Sequence, residues 1–520
     1  MPSRDPRGGD RGQLRRGRHA ETLHAGVGSE PAIHRRHRDG AGRGRAMTHD
    51  SLFPDHDSLT GADHALTERL VAARRLLPSR DVVPDGPSGE WLRVLRNMEF
   101  DQPRELADVM EWVIGGLETG TVQVTHPGYL GLFNPAPTFA SECADRIASL
   151  FNPQVCVHSH APAAVEIELH VIREVARRAG MPDASGGHFT SGGSEANLTA
   201  MLCALQAACP AYGDDGLQAF ARPPRLYVSE ESHLAWLKIA HAGGIGRNAV
   251  RLIQTDGRGR MDPGALAETI ATDIRNGRMP VMIAATAGTT SAGMVDPLTR
   301  CGELAREHGM WFHVDAAWGG ALIASDTGGA LKGIERADSI TIDAHKWFAT
   351  TMGAGMFLTS RPDVAGQVFR VDASYMPRSD TAKDFFVNSS QWSRRFVGLR
   401  LFLALAAAGW TGYAGHVERA IRLADRLARR LQRDGWSLAN DSPMAVACLV
   451  PPEGHETVRS YVDAVHRDGR FWVSTAVFEG RTVLRACITN GRTSERHIDA
   501  LVDTLKAVGP SIGAHRRNPN

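Results

Sequence analysis

No run of about 18 apolar residues occurs anywhere in this 520-residue chain, so no membrane-spanning helix is predicted and no membrane partner is expected. Cysteine is sparse and unpaired. The seven are Cys143, Cys156, Cys203, Cys209, Cys301, Cys448 and Cys487, odd in number, scattered and never spaced as CxxC. That argues against a disulfide framework or a zinc site and fits free thiols in a reducing cytosol. There is no excess of either charge: the net value is +1, which argues against nucleic acid as a partner. No internal repeat is visible. What remains is an ordinary globular composition, 42% hydrophobic and 22% charged, in a chain long enough for one large core and a second, smaller lobe.

The charge balance conceals an asymmetry. Residues 1–46 carry eleven arginines and five acids, or +6, which leaves −5 for the remainder. This stretch is rich in Gly, Arg and His without hydrophobic periodicity, so it cannot bury enough apolar surface to offset the entropy of ordering. It reads as a disordered basic extension, with Met47 an alternative start; an Arg-rich transit peptide or an RNA-binding arm are the other readings of it.

Residues 47–130 read as an N-terminal helical segment, with Leu66, Leu70, Ala73 and Leu76, then Leu106, Val109, Met110 and Val113, near helical spacing. A turn-rich stretch, Thr125–Pro135, precedes helices expected over Pro137–Leu150 and Pro162–Arg178. From Arg225 onward apolar strands alternate with helical runs: Arg225–Ser229, Val250–Gln254, Val281–Thr286, Trp311–Asp315, Ser339–Ile342 and Gly355–Thr359. Such alternation predicts a mainly parallel sheet covered by helices, an α/β large domain over residues 131–385. A polar, aperiodic segment, Asp372–Phe396, has the length of a lid. Residues 386–520 read as a small C-terminal α/β domain after a long helix over Leu399–Leu431, whose Arg-rich face is solvated.

In a parallel sheet, ligands bind at the carboxyl ends of the strands. His233 follows the first of the strands above, Thr286, Thr289 and Thr290 the third, Asp315 ends the fourth, and His345-Lys346 follow the fifth. Upstream, Thr190–Asn197 is a Gly-rich turn opening a helix, with Ser194 as expected N-cap. Free amides at such a helix start make an anion site, typically for phosphate. No Gly-Lys-Ser/Thr follows, so it is not a P-loop. Lys346 lies beside Trp347 and Phe348, and apolar surroundings disfavour a charged amine, which is what Schiff-base chemistry requires. A lysine, a carboxylate, an imidazole and a phosphate cradle together suit pyridoxal phosphate. Lys346 would hold the cofactor as a Schiff base. Asp315 would face the ring nitrogen, His233 would stack on the ring, and Gly192, Gly193 and Ser194 would bind the phosphate.

The ordered motifs resemble those of the group II pyridoxal-phosphate decarboxylases, which include aromatic-L-amino-acid, tyrosine, glutamate and diaminobutyrate decarboxylases. They are Ala161-Pro162-Ala163 with Glu166-Ile167-Glu168, Thr190–Asn197, Ser232-His233, Ala287-Gly288-Thr289-Thr290, His313–Ala317, Asp343-Ala344-His345-Lys346-Trp347 and Arg394-Arg395-Phe396. The resemblance implies a fold-type I enzyme and a homodimer that releases the carboxylate of an amino acid as carbon dioxide. It also implies cofactor contacts from Thr289, Ala317, Asp343 and His345. Tyr129, Leu130, Phe133, Pro162, Phe385, Phe386 and Arg395 are the candidate substrate contacts, and the apolar character of all but Arg395 favours an aromatic or aliphatic side chain. One departure stands out. Family decarboxylases carry a lid tyrosine where this chain has Phe385 or Phe386, and no tyrosine lies between Tyr375 and Trp392. Protonation of Cα would then fall to His233 or Tyr375. The alternatives are oxidative release of an aldehyde, or a transaminase or lyase on the same fold.

Overall fold

A computed structural model describes residues 52–325, 329–371 and 383–516. The basic extension 1–46 and Tyr375 lie outside the described residues. The chain forms two compact units, one of residues 52–69 with Gly89–Leu117, the other of Leu70–Ser88 with everything from Glu118 onward. Within the first, Trp91 of helix Gly89–Arg96 stacks on Trp112 with ring centroids 4.6 Å apart. Arg69 pairs with Glu111 at 2.6 Å. The helical expectation for this region holds, with helices at His56–Leu76, Gly89–Arg96 and Leu106–Gly120.

In the second unit, seven strands among the described residues form one sheet: β1 (Gly186–Thr190), β2 (Pro224–Ser229), β3 (Val250–Ile253), β4 (Met279–Thr286), β5 (Trp311–Asp315), β6 (Ser339–Asp343) and β7 (Gly355–Thr359). Their order is β1-β7-β6-β5-β4-β2-β3. The five from β6 to β3 run parallel, and β7 is antiparallel to both its neighbours. Alternate residues enter two apolar layers. Phe312, Val314, Ile340 and Ile342 go to one. Val228, Met282, Ala284 and Trp311 go to the other, against helix Gly193–Ala208. Burial on both faces is what makes these strands continuous apolar runs.

β1 was not expected, because Gly186-Gly187 reads as turn. Gly187 has φ +143°, and a Cβ there would overlap the Phe357 carbonyl of β7. The glycine is what lets the edge strand pair so closely. A second sheet, β8 (Ser437–Leu438), β9 (Val446–Val450), β10 (Ser474–Phe478) and β11 (Arg481–Cys487), is antiparallel in the order β10-β11-β9-β8. Its core includes Leu427, Tyr461, Leu484 and Leu501. The long helix Gly398–Arg433 is interrupted at Gly409, whose φ of 63° and ψ of 174° only glycine adopts readily.

Candidate active site

The strand ends singled out in the sequence do meet. The carboxyl ends of β2, β4, β5 and β6 and the start of helix Gly193–Ala208 surround one cavity of about 370 Å³. Its lining includes Gly192, Gly193, Ser194, His233, Asp315, Ala317, Asp343, His345 and Lys346. Asp315 ends β5 and is held at both oxygens: Ala317 N donates to Oδ1 at 3.1 Å and Asn197 Nδ2 to Oδ2 at 2.7 Å. His345 Nδ1 is engaged with Ala354 across the turn, at 3.1 Å to its carbonyl oxygen. Ala235 N donates to His233 Nδ1 at 3.1 Å.

Three expectations need correction. Ser194 is not the N-cap: Gly192 is, without a side-chain cap, and Ser194 sits in the first turn. Glu195 instead accepts the Ser191 N–H at 2.7 Å. Thr289 does not line the cavity. It is fully buried, and its Oγ1 accepts the Met294 N–H at 3.0 Å, which closes the turn and leaves Gly288 and Thr290 exposed to the site. Lys346 does not sit in apolar surroundings. Trp347 and Phe348 turn into the core, while Lys346 Nζ lies 3.0 Å from Asp343 Oδ2.

The expected substrate residues lie outside this lining. Tyr129 is buried against Trp472, with centroids 5.3 Å apart. Leu130 is in the core of the smaller sheet, and Phe133 stacks behind Trp318 at 4.1 Å. Pro162 is the exposed first residue of helix Pro162–Arg178. Phe385 is buried with Val155, Val165 and Leu399, and Phe386 with Cys156 and Val157. Arg395 is exposed, 3.9 Å from Asp145, whereas its neighbour Arg394 turns inward to Glu168 at 2.7 Å.

Trp318 and Met352 line the cavity without having been singled out, and so does Asn197. Period-2 reading of β5 was the available signal for Asn197. Trp311, His313 and Asp315 share one face of that strand, so a polar partner had to lie above them on the helix.

The residues present fit pyridoxal phosphate. Among the described residues the Gly193 and Ser194 amides have no acceptor in the protein, as expected at a helix start. A Cβ on Gly193 would lie 2.9 Å from Asp343 Oδ2, so the glycine keeps the cradle open. Asp343 Oδ1 is buried without a hydrogen-bond partner.

A parallel α/β sheet with a reactive lysine, a carboxylate and a phosphate cradle at its carboxyl edge defines the fold-type I class of pyridoxal-phosphate enzymes. Comparison with known proteins narrows this. The pyridoxal-dependent decarboxylase conserved domain matches residues 90–448, and the chain belongs to that family. Tryptophan decarboxylase 2 of Oryza sativa subsp. japonica is 27% identical over 473 residues, covering 87% of this chain and 94% of that protein. Aromatic-L-amino-acid decarboxylase of Bacillus atrophaeus is 28% identical over 404 residues, covering 75% and 82%. The crystal structure of Oryza sativa TDC with PLP and tryptamine superposes with a TM-score of 0.83 at 22% identity, covering 88% of this chain and 99% of that one. The protein is thus a pyridoxal-phosphate-dependent carboxy-lyase. No helix among the described residues is long and apolar enough to cross a membrane.

Proposed function

We propose that this decarboxylase converts an L-amino acid with an aromatic or apolar side chain to its amine, with Lys346, Asp315 and His233 as the catalytic residues. The observation that carries the assignment is the meeting of four strand ends and one helix start around a single cavity. Trp318 and Met352 give that cavity apolar wall, which supports an apolar side chain, as do the substrates named for the tryptophan and aromatic-L-amino-acid decarboxylases above.

Pyridoxal phosphate, when bound, supplies a sink for the electron pair left as the carboxylate departs. The chain's own residues do the rest. Lys346 is the amine that anchors the cofactor. The Gly193 and Ser194 amides, at the positive end of their helix, take the phosphate, with Gly192 allowing close approach. Asp315, fixed at both oxygens, would face the ring nitrogen and favour its protonated form. His345 keeps Nε2 for the cofactor or the substrate carboxylate. Because His233 Nδ1 accepts the Ala235 N–H, a neutral ring carries its hydrogen on Nε2, which is the donor this residue offers to the substrate.

A second reading, release of an aldehyde, rests on one observation: the described lid residues from 383 to 396 contain no tyrosine. Two subunits are expected, since helix Phe139–Phe151 presents Phe139, Ile147, Leu150 and Phe151 outward. The seven free cysteines support a cytoplasmic location.

The test is to reduce the holoenzyme with borohydride and map the modified peptide, then to screen the twenty L-amino acids, diaminobutyrate and ornithine for carbon dioxide. Cofactor mass on the Lys346 peptide, its loss in Lys346→Ala, and amine from aromatic or apolar substrates are expected. Label on another lysine would overturn the anchor. Carbon dioxide from acidic or basic amino acids alone would overturn the substrate class, and aldehyde with hydrogen peroxide would select the second reading.

A further inference from the structure

Behind Asp315 and the Asn197 amide that holds it lies a line of further buried polar groups. Trp311 Nε1 is 2.8 Å from Ser339 Oγ, and Ser339 Oγ is 2.8 Å from His313 Nδ1. His313 Nε2 is 3.1 Å from Asn197 Oδ1, and Asn197 Nδ2 is 2.7 Å from Asp315 Oδ2. All five residues are buried.

The two ends of this line set its direction. An indole N–H can only donate and a carboxylate can only accept. The Asp315 end fixes the Asn197 amide with Nδ2 toward the carboxylate and Oδ1 toward His313, and Ser339 Oγ accepts from Trp311 while Nδ1 of a neutral imidazole takes its hydroxyl hydrogen. The imidazole hydrogen must then sit on Nε2 and point at Asn197 Oδ1. Each hydrogen is used once and none opposes another. A charged imidazole would still donate from Nε2 to Asn197 but would make Nδ1 a donor toward Ser339 as well; burial keeps His313 neutral by pushing its pKa down to about 4.

We propose that His313 and Asn197 are positioning residues of the decarboxylase, delivering a directed chain of hydrogen bonds that fixes the Asp315 carboxyl group toward the cavity. This rests on the assignment of Asp315 to the cofactor ring nitrogen. The terminal bond, from a neutral amide to a carboxylate, is of the stronger kind, and the bonds behind it polarise it further.

The test compares His313→Gln, His313→Leu, Asn197→Leu, Asn197→Asp and Asp315→Asn in two measurements: cofactor affinity by fluorescence titration, and the pH dependence of the bound cofactor's visible absorbance. Glutamine keeps an N–H donor near the position of Nε2; leucine removes it. Expected is a loss of affinity of about tenfold for both leucine variants, the size of one charge-assisted hydrogen bond, with a shifted absorbance profile. His313→Gln should stay within about threefold of wild type, a fraction of that bond. Asn197→Asp, the same size but with a second carboxylate facing Asp315, should lose more than Asn197→Leu, and it tests the idea even if His313→Leu fails to fold. Equal behaviour of His313→Gln and His313→Leu, or wild-type affinity in Asn197→Asp, overturns the proposal. Wild-type affinity and absorbance in Asp315→Asn would instead overturn the assignment of Asp315.

Discussion

His188 and Lys346 show how differently two ionisable side chains can be treated by one sheet. Lys346 is surrounded in sequence by apolar residues, but its side chain reaches the cavity and ends on the Asp343 carboxylate. His188, in edge strand β1, is fully enclosed with neither ring nitrogen bonded, its ring 5.5 Å from Phe357. Burial, and secondarily the Arg394 charge, push its pKa down to about 3. The folded value is below the unfolded one near 6.5, so the full stability is present above pH 6.5 and is lost as pH falls toward 3. At pH 5 the loss from this residue alone is about 2 kcal/mol. His313 adds a loss of the same sign between about 6.5 and about 4. His188→Leu should therefore melt close to wild type at pH 7, since it removes an unbonded buried polar group, and should melt higher than wild type at pH 5. Scanning calorimetry at the two pH values checks this; parallel declines in the two proteins would refute it.

Among the elements, the long helix Gly398–Arg433 does most to hold the Lys346 turn in place. Arg400 is buried and its Nη1 reaches three successive carbonyls, Thr351 at 3.4 Å, Met352 at 2.8 Å and Gly353 at 3.2 Å. Its Nε donates to Asp145 at 2.8 Å. Further along, Tyr413 donates to the Phe348 carbonyl at 3.1 Å and His416 Nε2 lies 3.2 Å from the Trp347 carbonyl oxygen. Arg400→Met would leave the three carbonyls without their donor and Asp145 with only Thr351 and the exposed Arg395, at a cost of about 1–3 kcal/mol. Because Met352 and Gly353 line the cavity, cofactor affinity should fall as well, which thermal melting and a cofactor titration read separately. An unchanged affinity would mean that the turn holds its shape without this clamp.

Such cross-element bonds were not legible in the sequence, and the reason is distance along the chain. Arg400 and Gly353 are 47 residues apart, and no periodicity links them. What was legible was local: apolar runs of strand length, Pro162 opening a helix, and chemically distinctive residues at strand ends. The sheet interior followed from those, and so did the convergence of His233, Asp315 and Lys346. The edge strand β1 and the break at Gly409 escaped because glycine there serves a close approach and a positive φ that only the folded neighbours reveal.

At the scale of the whole molecule, the exposed apolar residues are the main unexplained feature. Helix Phe139–Phe151 buries Ser141 and Ala144 on one side, while Phe139, Leu150 and Phe151 on the other are 68%, 81% and 74% exposed. A helix that turns large apolar side chains away from its own core is normally covered by another surface. A stable protein–protein interface removes roughly 800 Å² from each partner, so in the proposed dimer this helix would be one part of the contact with the second copy. If it is a central part, a charge placed there will be desolvated at high cost and the assembly will open. Wild-type protein should then sediment at twice the chain mass, and Leu150→Glu should shift to a single chain at the same concentration while keeping its circular dichroism spectrum. The same variant should retain the packing behind the helix, since Leu150 points away from Ser141 and Ala144. Leu150→Glu sedimenting as wild type, with its fold intact, would remove this helix from the subunit contact and leave its exposed phenylalanines to be explained by another partner.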